Sequence, residues 1–402
     1  MRRTRQRGTH VMLLALLVVM CMVLSAVMPA TALSASATET GRASQDQVTS
    51  RNIWTNEYSS EGGGNWASTV TSHIEATDDG GYDIVEWADS ALHVEHYDSR
   101  FSFVSGRAIT PSTYTPTGAT AVRWGGYLNG SQYRFVVTGQ ANPAESDSVA
   151  VIRVTKYSKS WQYLGNVEYS GINTYMPFRG GSLRMAEANG ELWIRTCHEI
   201  YAIQGLHHQT NMTLRIRESD LAKLASDTGV EDYASGYVSH SFNQYLVTAG
   251  GKIYGADHGD AYPRQITIKD ITPTDDSTDG RTFPVMSFKG SSGDNFTGAT
   301  FDGLESANNG ASLIAVGTIA DQDKSFPSSG GDVKSGTRNV WVGVVPTNGD
   351  AVTVKNITTL PFDDEKTATD PVLVKLGENR FILLWSTRSK DEQSAYAKHG
   401  NV

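Results

Sequence analysis

The chain has 402 residues, with 34 Lys and Arg against 43 Asp and Glu, ten histidines and two cysteines. A formal charge of −9, with no local basic patch to offset it, repels polyanions and excludes nucleic acid as a partner. The length is enough to bury a large core, as one big all-β domain or two ordinary ones.

The first 37 residues stand apart. Arg2, Arg3, Arg5 and Arg7 make a basic start, and Val11–Val27 is apolar over nearly the ~18 residues that cross a bilayer. Pro29 breaks the run, small-residue sites follow at Ala32 and Ala37, and the chain then turns polar. Residues 1–32 therefore read as a signal peptide, with cleavage after Ala32 or as late as Ala37. A retained membrane anchor is the rival reading. Cys21 follows Met20, where a lipoprotein signal needs a small residue, and reads as filler. Beyond this segment 30 basic residues face 43 acidic ones, and Cys197 alone remains, which excludes an internal disulfide. Residues 33–50 read as a disordered lead-in. Residues 51–402 read as a single β-propeller domain, secreted to the extracellular space or cell surface, with no membrane span after signal cleavage.

From Asn52 onward, strand-like runs alternate with Asn-Gly, Asp-Gly and Gly-Gly turns. Thr69–Ala76, Tyr82–Glu86, Leu92–Tyr97 and Phe103–Ile109 form a first set. Ala121–Tyr127, Tyr133–Thr138, Ser148–Lys156 and Trp161–Tyr169 form a second. Ser182–Glu187, Glu191–Thr196, Glu199–Ala202 and Asn211–Ile216 form a third, and Glu218–Asp227 is expected as a short surface helix. Tyr237–Thr248, Lys252–Asp257, Arg264–Ile268 and Pro284–Phe288 form a fourth. Leu304–Ala307, Ser312–Ile319, Val340–Pro346 and Val352–Leu360 form a fifth, and Asp370–Leu376 with Arg380–Ser386 begin a sixth.

This is a repeat of roughly 50 to 65 residues with about four short antiparallel strands per unit, the rhythm of β-propeller blades. The expected fold is all-β, a propeller of about six blades that is either closed by Asn52–Tyr58 joining the last blade or incomplete at the C-terminus. A pair of β-sandwiches and a right-handed β-helix fit the rhythm less well. Trp54, Trp66, Trp87, Trp124, Trp161, Trp193, Trp341 and Trp385 fall one or two to a unit, a spacing suited to packing between blades. Trp66, in a glycine-rich loop, is the first choice for an exposed sugar platform.

Polar groups concentrate in Ser182–Ile268, which holds five of the ten histidines. The candidate cluster is His198, Glu199, His208, Asn211, His240, Asn243, Gln244, His258, Asp260 and Arg264. His, Asp and Glu are the residue types that bind a divalent metal or move protons. Against this, buried histidines and amides often satisfy backbone groups at sheet ends, and no zinc-type spacing occurs. No cofactor is predicted, with a divalent metal as the open alternative. Cys197 reads as a buried small apolar residue.

The stretches Cys-His-Glu, His-Gln-x-Asn-Met-Thr, Ser-His-Ser-Phe-Asn-Gln and His-Gly-Asp-Ala-Tyr-Pro-Arg resemble those of a group of exported bacterial β-propeller-like proteins. The resemblance is close over Ser182–Ile268 and elsewhere extends to the blade rhythm. It implies the fold and export and brings no activity with it.

Glycoside-cleaving propellers need two carboxylates roughly 5–10 Å apart. Glu86, Glu187, Glu199, Asp257 and Asp260 are available, but no spacing pairs them. A sialidase-type Ser-x-Asp-x-Gly-x-Thr-Trp repeat is absent, with one shortened near miss at Ser277–Phe283, and the sequence identifies no arginine triad. Asp275-Asp276, Asp321-Gln-Asp323 and Asp363-Asp364-Glu365 lack the calcium-loop pattern. The resulting expectation is an extracellular binding or interaction domain for a polysaccharide or protein ligand. The alternative is a glycoside hydrolase or polysaccharide lyase, with binding favoured over catalysis.

Overall fold

Short strands joined by tight turns pair most cheaply with their sequence neighbours, and the computed structural model has that pattern throughout. It describes Ala67 and residues 69–389, apart from 89, 111–121, 228–231, 234–235, 238, 262, 274–279, 294–295 and 326–335. Blade 1 comprises Ser72–Ala76, Tyr82–Ala88, Ala91–Tyr97 and Phe103–Ile109. Blade 2 comprises Arg123–Asn129, Tyr133–Gly139, Ile152–Ser158 and Tyr163–Tyr169. Blade 3 comprises Leu183–Ala188, Glu191–Glu199, Gln209–Arg217 and Lys223–Asp227. Blade 4 comprises Ser239–Ala249, Lys252–Ala261, Arg264–Asp270 and Thr282–Ser287. Blade 5 comprises Gly303–Ala307, Ser312–Ala320, Arg338–Pro346 and Thr353–Asn356. Within each blade every strand pairs antiparallel with the next, and Lys366–Gly377 pairs with Arg380–Ser389 as a sixth sheet. Asn189-Gly190 has φ of 54° and 76°, and Gly250-Gly251 has 58° and 76°. Two consecutive positive values match the right-handed twist of a two-residue hairpin turn, which explains the Asn-Gly and Gly-Gly signals.

The first strand of blade 2 lies against the first strand of blade 3, and the series continues through blades 4 and 5 to the sixth sheet. Blade 1 joins through the Trp124 indole, which donates to the Val70 carbonyl at 2.8 Å, and through the Tyr127 hydroxyl on Glu75 at 3.0 Å. First strands side by side, with sheets stacked outward from them, are the inner ring of a β-propeller.

The core sits between blades, because successive residues of a strand point to opposite faces. Val136 faces blade 1, packing with Val85 and Leu92, whereas Phe135 and Val137 pack with Leu192 and Ile194 of blade 3. Trp193, between those two, turns the other way onto Leu246 and Ile253 of blade 4. Ile266 and Phe283 of blade 4 pack with Leu313, Ala315 and the fully buried Trp341 of blade 5. Trp87 and Trp124 stack at 4.9 Å across the first interface, so these tryptophans are packing residues. Trp385 is partly exposed, and Trp54 and Trp66 lie outside the described residues. The closing strand expected at Asn52–Tyr58 lies outside them as well.

Two local expectations are corrected. Glu218–Asp227 is not a helix: Leu221 takes φ of 61° and closes a turn onto Arg217, and Lys223–Asp227 pairs with Gln209–Arg217. The open edge of that strand outweighs the helical spacing of the apolar residues, because pairing satisfies a row of backbone groups. Nor is Glu199–Ala202 a separate strand. The second strand of blade 3 runs through to Glu199 and ends in a loop, where the Ile200 amide donates to the His208 carbonyl at 2.9 Å.

Candidate functional site

In an antiparallel meander the start of the first strand, the end of the second and the start of the third lie at one end of the sheet. His198, Glu199 and Asn211 of blade 3 lie toward this end, as do His258, Asp260 and Arg264 of blade 4. These residues therefore share one end of their own sheets. The side chains are spent on structure.

His198 is fully buried, with Nδ1 at 2.7 Å from the Thr174 hydroxyl on the blade 2 side. His258 is buried on the opposite side, with Nε2 2.8 Å from the Thr297 hydroxyl and the ring against Phe288. Burial first, then the nearby Arg338 and Arg264, lowers the His258 pKa to about 3, so it is neutral at ordinary pH. These contacts of the two histidines lie toward different neighbours, Thr174 for His198 and Thr297 with Phe288 for His258. His208 is half-buried in the loop, and the His240 side chain lies outside the described residues. Among the described residues, no group of three His, Cys, Asp or Glu is placed to hold a metal. Asp321 and Asp323 lie in an exposed turn where the Asp323 amide donates to Asp321, and Asp275-Asp276 lie outside the described residues.

Arg264 is a loop clamp, donating to the carbonyls of Lys289 (2.8 Å), Asp260 (3.2 Å), Ser291 (3.2 Å) and Phe296. Glu199 faces Arg179 at 3.3 Å, and its partial burial raises its pKa against that charge. Asn211 lies opposite Cys197 in register. Cys197 fits because residue 181 is glycine, where a Cβ would come within 2.2 Å of the sulfur. Its thiol donates to the Arg179 carbonyl at 3.0 Å, and burial pushes its pKa far up, so it is no nucleophile.

Blades 3 and 4 are joined by a buried polar network. Arg195 and Asp257 are fully buried and ion-paired, Arg195 also donates to Thr213 at 2.6 Å, and Ser241 donates to Asp257 at 2.7 Å. The Gln244 amide donates to Ser241 Oγ at 2.8 Å and accepts from the Ser182 amide at 2.8 Å, and the Ser182 hydroxyl donates to the Gln244 carbonyl at 2.9 Å. Hydrogen bonds to the remaining donors and acceptors support a buried ion pair, and Thr213 and Ser241 contribute such bonds here, with Gln244 holding Ser241.

A different set lies along the inner strands. Arg184 is the second residue of the first strand of blade 3, and its guanidinium stands 4.6 Å over the Tyr245 ring from the first strand of blade 4. Arg184 and Asn243 both approach the Tyr245 hydroxyl, whose pKa burial raises. The Asn243 amide donates to the Phe301 carbonyl, beside Asp302 at the start of the first strand of blade 5. Asp302 accepts a hydrogen bond from the Thr300 hydroxyl, while Arg338, Arg184 and Asp370 lie within electrostatic reach. Burial above all, with the Asp370 charge adding, raises the Asp302 pKa to about 7 against Thr300 and the arginines. Asp302 is half-buried as a residue, and burial is what dominates the environment of its carboxyl. Asp370 in turn pairs with Arg388 at 2.9 Å within the sixth sheet. Residues from four successive sheets thus meet near the axis, with unlike environments for two carboxyls.

Sequence reasoning missed Arg184, Tyr245, Asp302, Arg338 and Asp370. The available signal is positional: Arg184 is the second residue of a first strand, Asp302 directly precedes one, and Asp370 is the fifth residue of Lys366–Gly377.

No protein-family model and no curated protein sequence matches the chain. Among solved structures, it is similar to a subtype N10 neuraminidase-like protein of A/little yellow-shouldered bat/Guatemala/060/2010 (TM-score 0.41, 9% identity, covering 80% of this chain and 95% of that one). It is also similar to the Pan2 WD40 domain of Neurospora crassa (TM-score 0.38, 8% identity, 73% and 67% covered). A third likeness is an endo-arabinase from Bacteroides thetaiotaomicron (TM-score 0.35, 12% identity, 64% and 87% covered). At these TM-scores the likenesses carry no argument about activity, and the blade assignment rests on strand pairing and interblade packing.

Proposed function

We propose that the protein is an exported extracellular binding domain whose ligand is a saccharide taken at the axial cluster of Arg184, Asn243, Tyr245, Asp302 and Arg338. One observation carries this reading: donors and acceptors from three blades converge around Tyr245 and the carboxyl of the half-buried Asp302. A hydroxyl-rich ligand needs a few polar groups of both kinds held in fixed directions, and inner strands hold them rigidly. Export rests on the signal-type segment 1–32. The test is a panel of immobilised glycans probed with the secreted protein. Binding to at least one glycan that is lost in Tyr245→Phe and Asp302→Asn, with unchanged thermal unfolding, supports the reading. Binding that survives both substitutions places the ligand elsewhere and ends it.

A hydrolase reading is favoured by one observation, the unlike pair of carboxyls. Asp302 holds its proton up to about pH 7, as a general acid must, and Asp370 sits in an ion pair nearby. Release of reducing ends from a bound glycan, abolished in Asp302→Asn and in Asp370→Asn, would move the assignment from binding to catalysis. Tight binding without product would settle it as a binding domain.

A further inference from the structure

The axial cluster has a charge balance opposite to that of the chain. Over the whole sequence acids exceed bases, 43 to 34, yet Arg184, Arg338 and Arg388 gather near the axis with Asp302 and Asp370. Arg388 and Asp370 pair with each other, and Asp302 is a carboxylic acid for part of its time at neutral pH. Cations therefore outweigh anions there.

Arg184 is the informative member. Arg134, Arg153, Arg195 and Arg215, which also project from blade strands, each have a carboxylate partner: Glu75, Glu168, Asp257 and Glu191. Arg184 forms no ion pair among the described residues. It donates to the Leu183 carbonyl at 3.1 Å and to the Tyr245 hydroxyl, and packs over the Tyr245 ring. A guanidinium has five N–H donors in a planar fork that matches a carboxylate, so several donors remain for a ligand. Its charge is also felt by His73, on the first strand of blade 1, where it adds to the burial that keeps that imidazole neutral.

We propose that the saccharide taken at this cluster is acidic, with a sugar carboxylate seated on the Arg184 fork and Tyr245, Asn243 and Asp302 on neighbouring hydroxyls. This rests on the saccharide-binding reading above and goes beyond it by fixing the ligand's charge. Inner-strand placement gives the fork a fixed direction, and partial burial strengthens a charge-assisted contact relative to the open surface.

The experiment measures calorimetric binding of the intact protein to oligosaccharides of galacturonate, mannuronate, glucuronate and sialate, each as the free acid and as its methyl ester. Neutral malto-, xylo- and arabino-oligosaccharides complete the panel. A free acid is expected to bind at least about tenfold tighter than its own ester, the worth of a charge-assisted hydrogen bond. Arg184→Gln should lose that ratio while still binding the ester, and Arg184→Lys should recover part of it. If acid and ester bind alike, or a neutral sugar binds best, the acidic-ligand inference is overturned while saccharide binding stands. If no member binds, both readings fail. Equal unfolding temperatures for wild type and Arg184→Gln separate lost recognition from lost fold.

Discussion

The interface between blades 3 and 4 and the axial cluster are both rich in polar groups, and they use them in opposite ways. At the interface, Arg195, Asp257, Ser241, Gln244 and Ser182 hydrogen-bond to one another and are closed to water. At the axis, Arg184 has no carboxylate partner among the described residues, and Asp302 is half-buried as a residue. Polar groups tied to one another across the interface fix how two blades sit together. Groups with donors or acceptors to spare, held on the same rigid strands, are available to something else. Polar density alone does not distinguish the two.

Mutation separates the regions most sharply. Asp257→Ala leaves Arg195 as a fully buried charge without its partner carboxylate, so urea unfolding should show a loss of about 3–5 kcal/mol. Arg184→Gln, on a half-buried guanidinium with no such partner, should change stability by no more than about 0.5 kcal/mol. Similar losses at both positions would erase the distinction.

Acid should act on the buried histidines next. Burial lowers the pKa of His73 to about 4 and of His258 to about 3, from an ordinary value of 6.5. Each favours the folded state above pH 6.5, and that stability is lost as pH falls toward the folded values, because only the unfolded chain takes up the proton. Each pKa unit of difference is worth about 1.4 kcal/mol. The unfolding temperature should fall steadily between pH 6.5 and 4, and His258→Asn should flatten that slope whatever it does to stability at pH 7. An unchanged slope would show that His258 does not remain neutral in the fold.

At the axis the effect of pH reverses and shrinks. Asp302 faces Arg184, Arg338, Asp370 and Thr300, and gains its charge as pH rises through about 7. An acidic ligand should then bind about fivefold more weakly, the ~1 kcal/mol of two like charges about 4 Å apart in a water-like medium. A neutral ligand should never show the change, and equal pH dependence for acidic and neutral ligands would rule out Asp302 as its source. The smallest expected effect is none: Cys197 in the folded protein should resist thiol reagents at pH 8 and react only after denaturation.

The fold was largely legible because its signals are local. Asn189-Gly190 and Gly250-Gly251 mark hairpins by their φ requirements, and alternation along Phe135, Val136 and Val137 marks a strand buried on both sides. Glu218–Asp227 was misread because its helical spacing of Leu221 and Leu224 is also local, while the unpaired edge that recruits Lys223–Asp227 is not. The site was legible only as a neighbourhood. His198, His258 and Arg264 stand close to one another in sequence, but which face each side chain takes depends on strand register and on the next blade. Arg184 and Asp302 are 118 positions apart in sequence. Only the stacking of first strands brings them near, and no single segment records it.

Interblade cores have a thermodynamic consequence. Phe135 and Val136 are successive residues of one strand, yet they belong to two different hydrophobic clusters. A blade removed from its neighbours would retain its hydrogen bonds and lose both of its cores. Free energy is therefore stored at the boundaries between blades, as in a stack with nearest-neighbour coupling, and melting should advance from the end sheets inward. Hydrogen exchange should accordingly grade by rank in the stack, slowest in the second strands of blades 3 and 4 and fastest in Ser72–Ala76 and Arg380–Ser389.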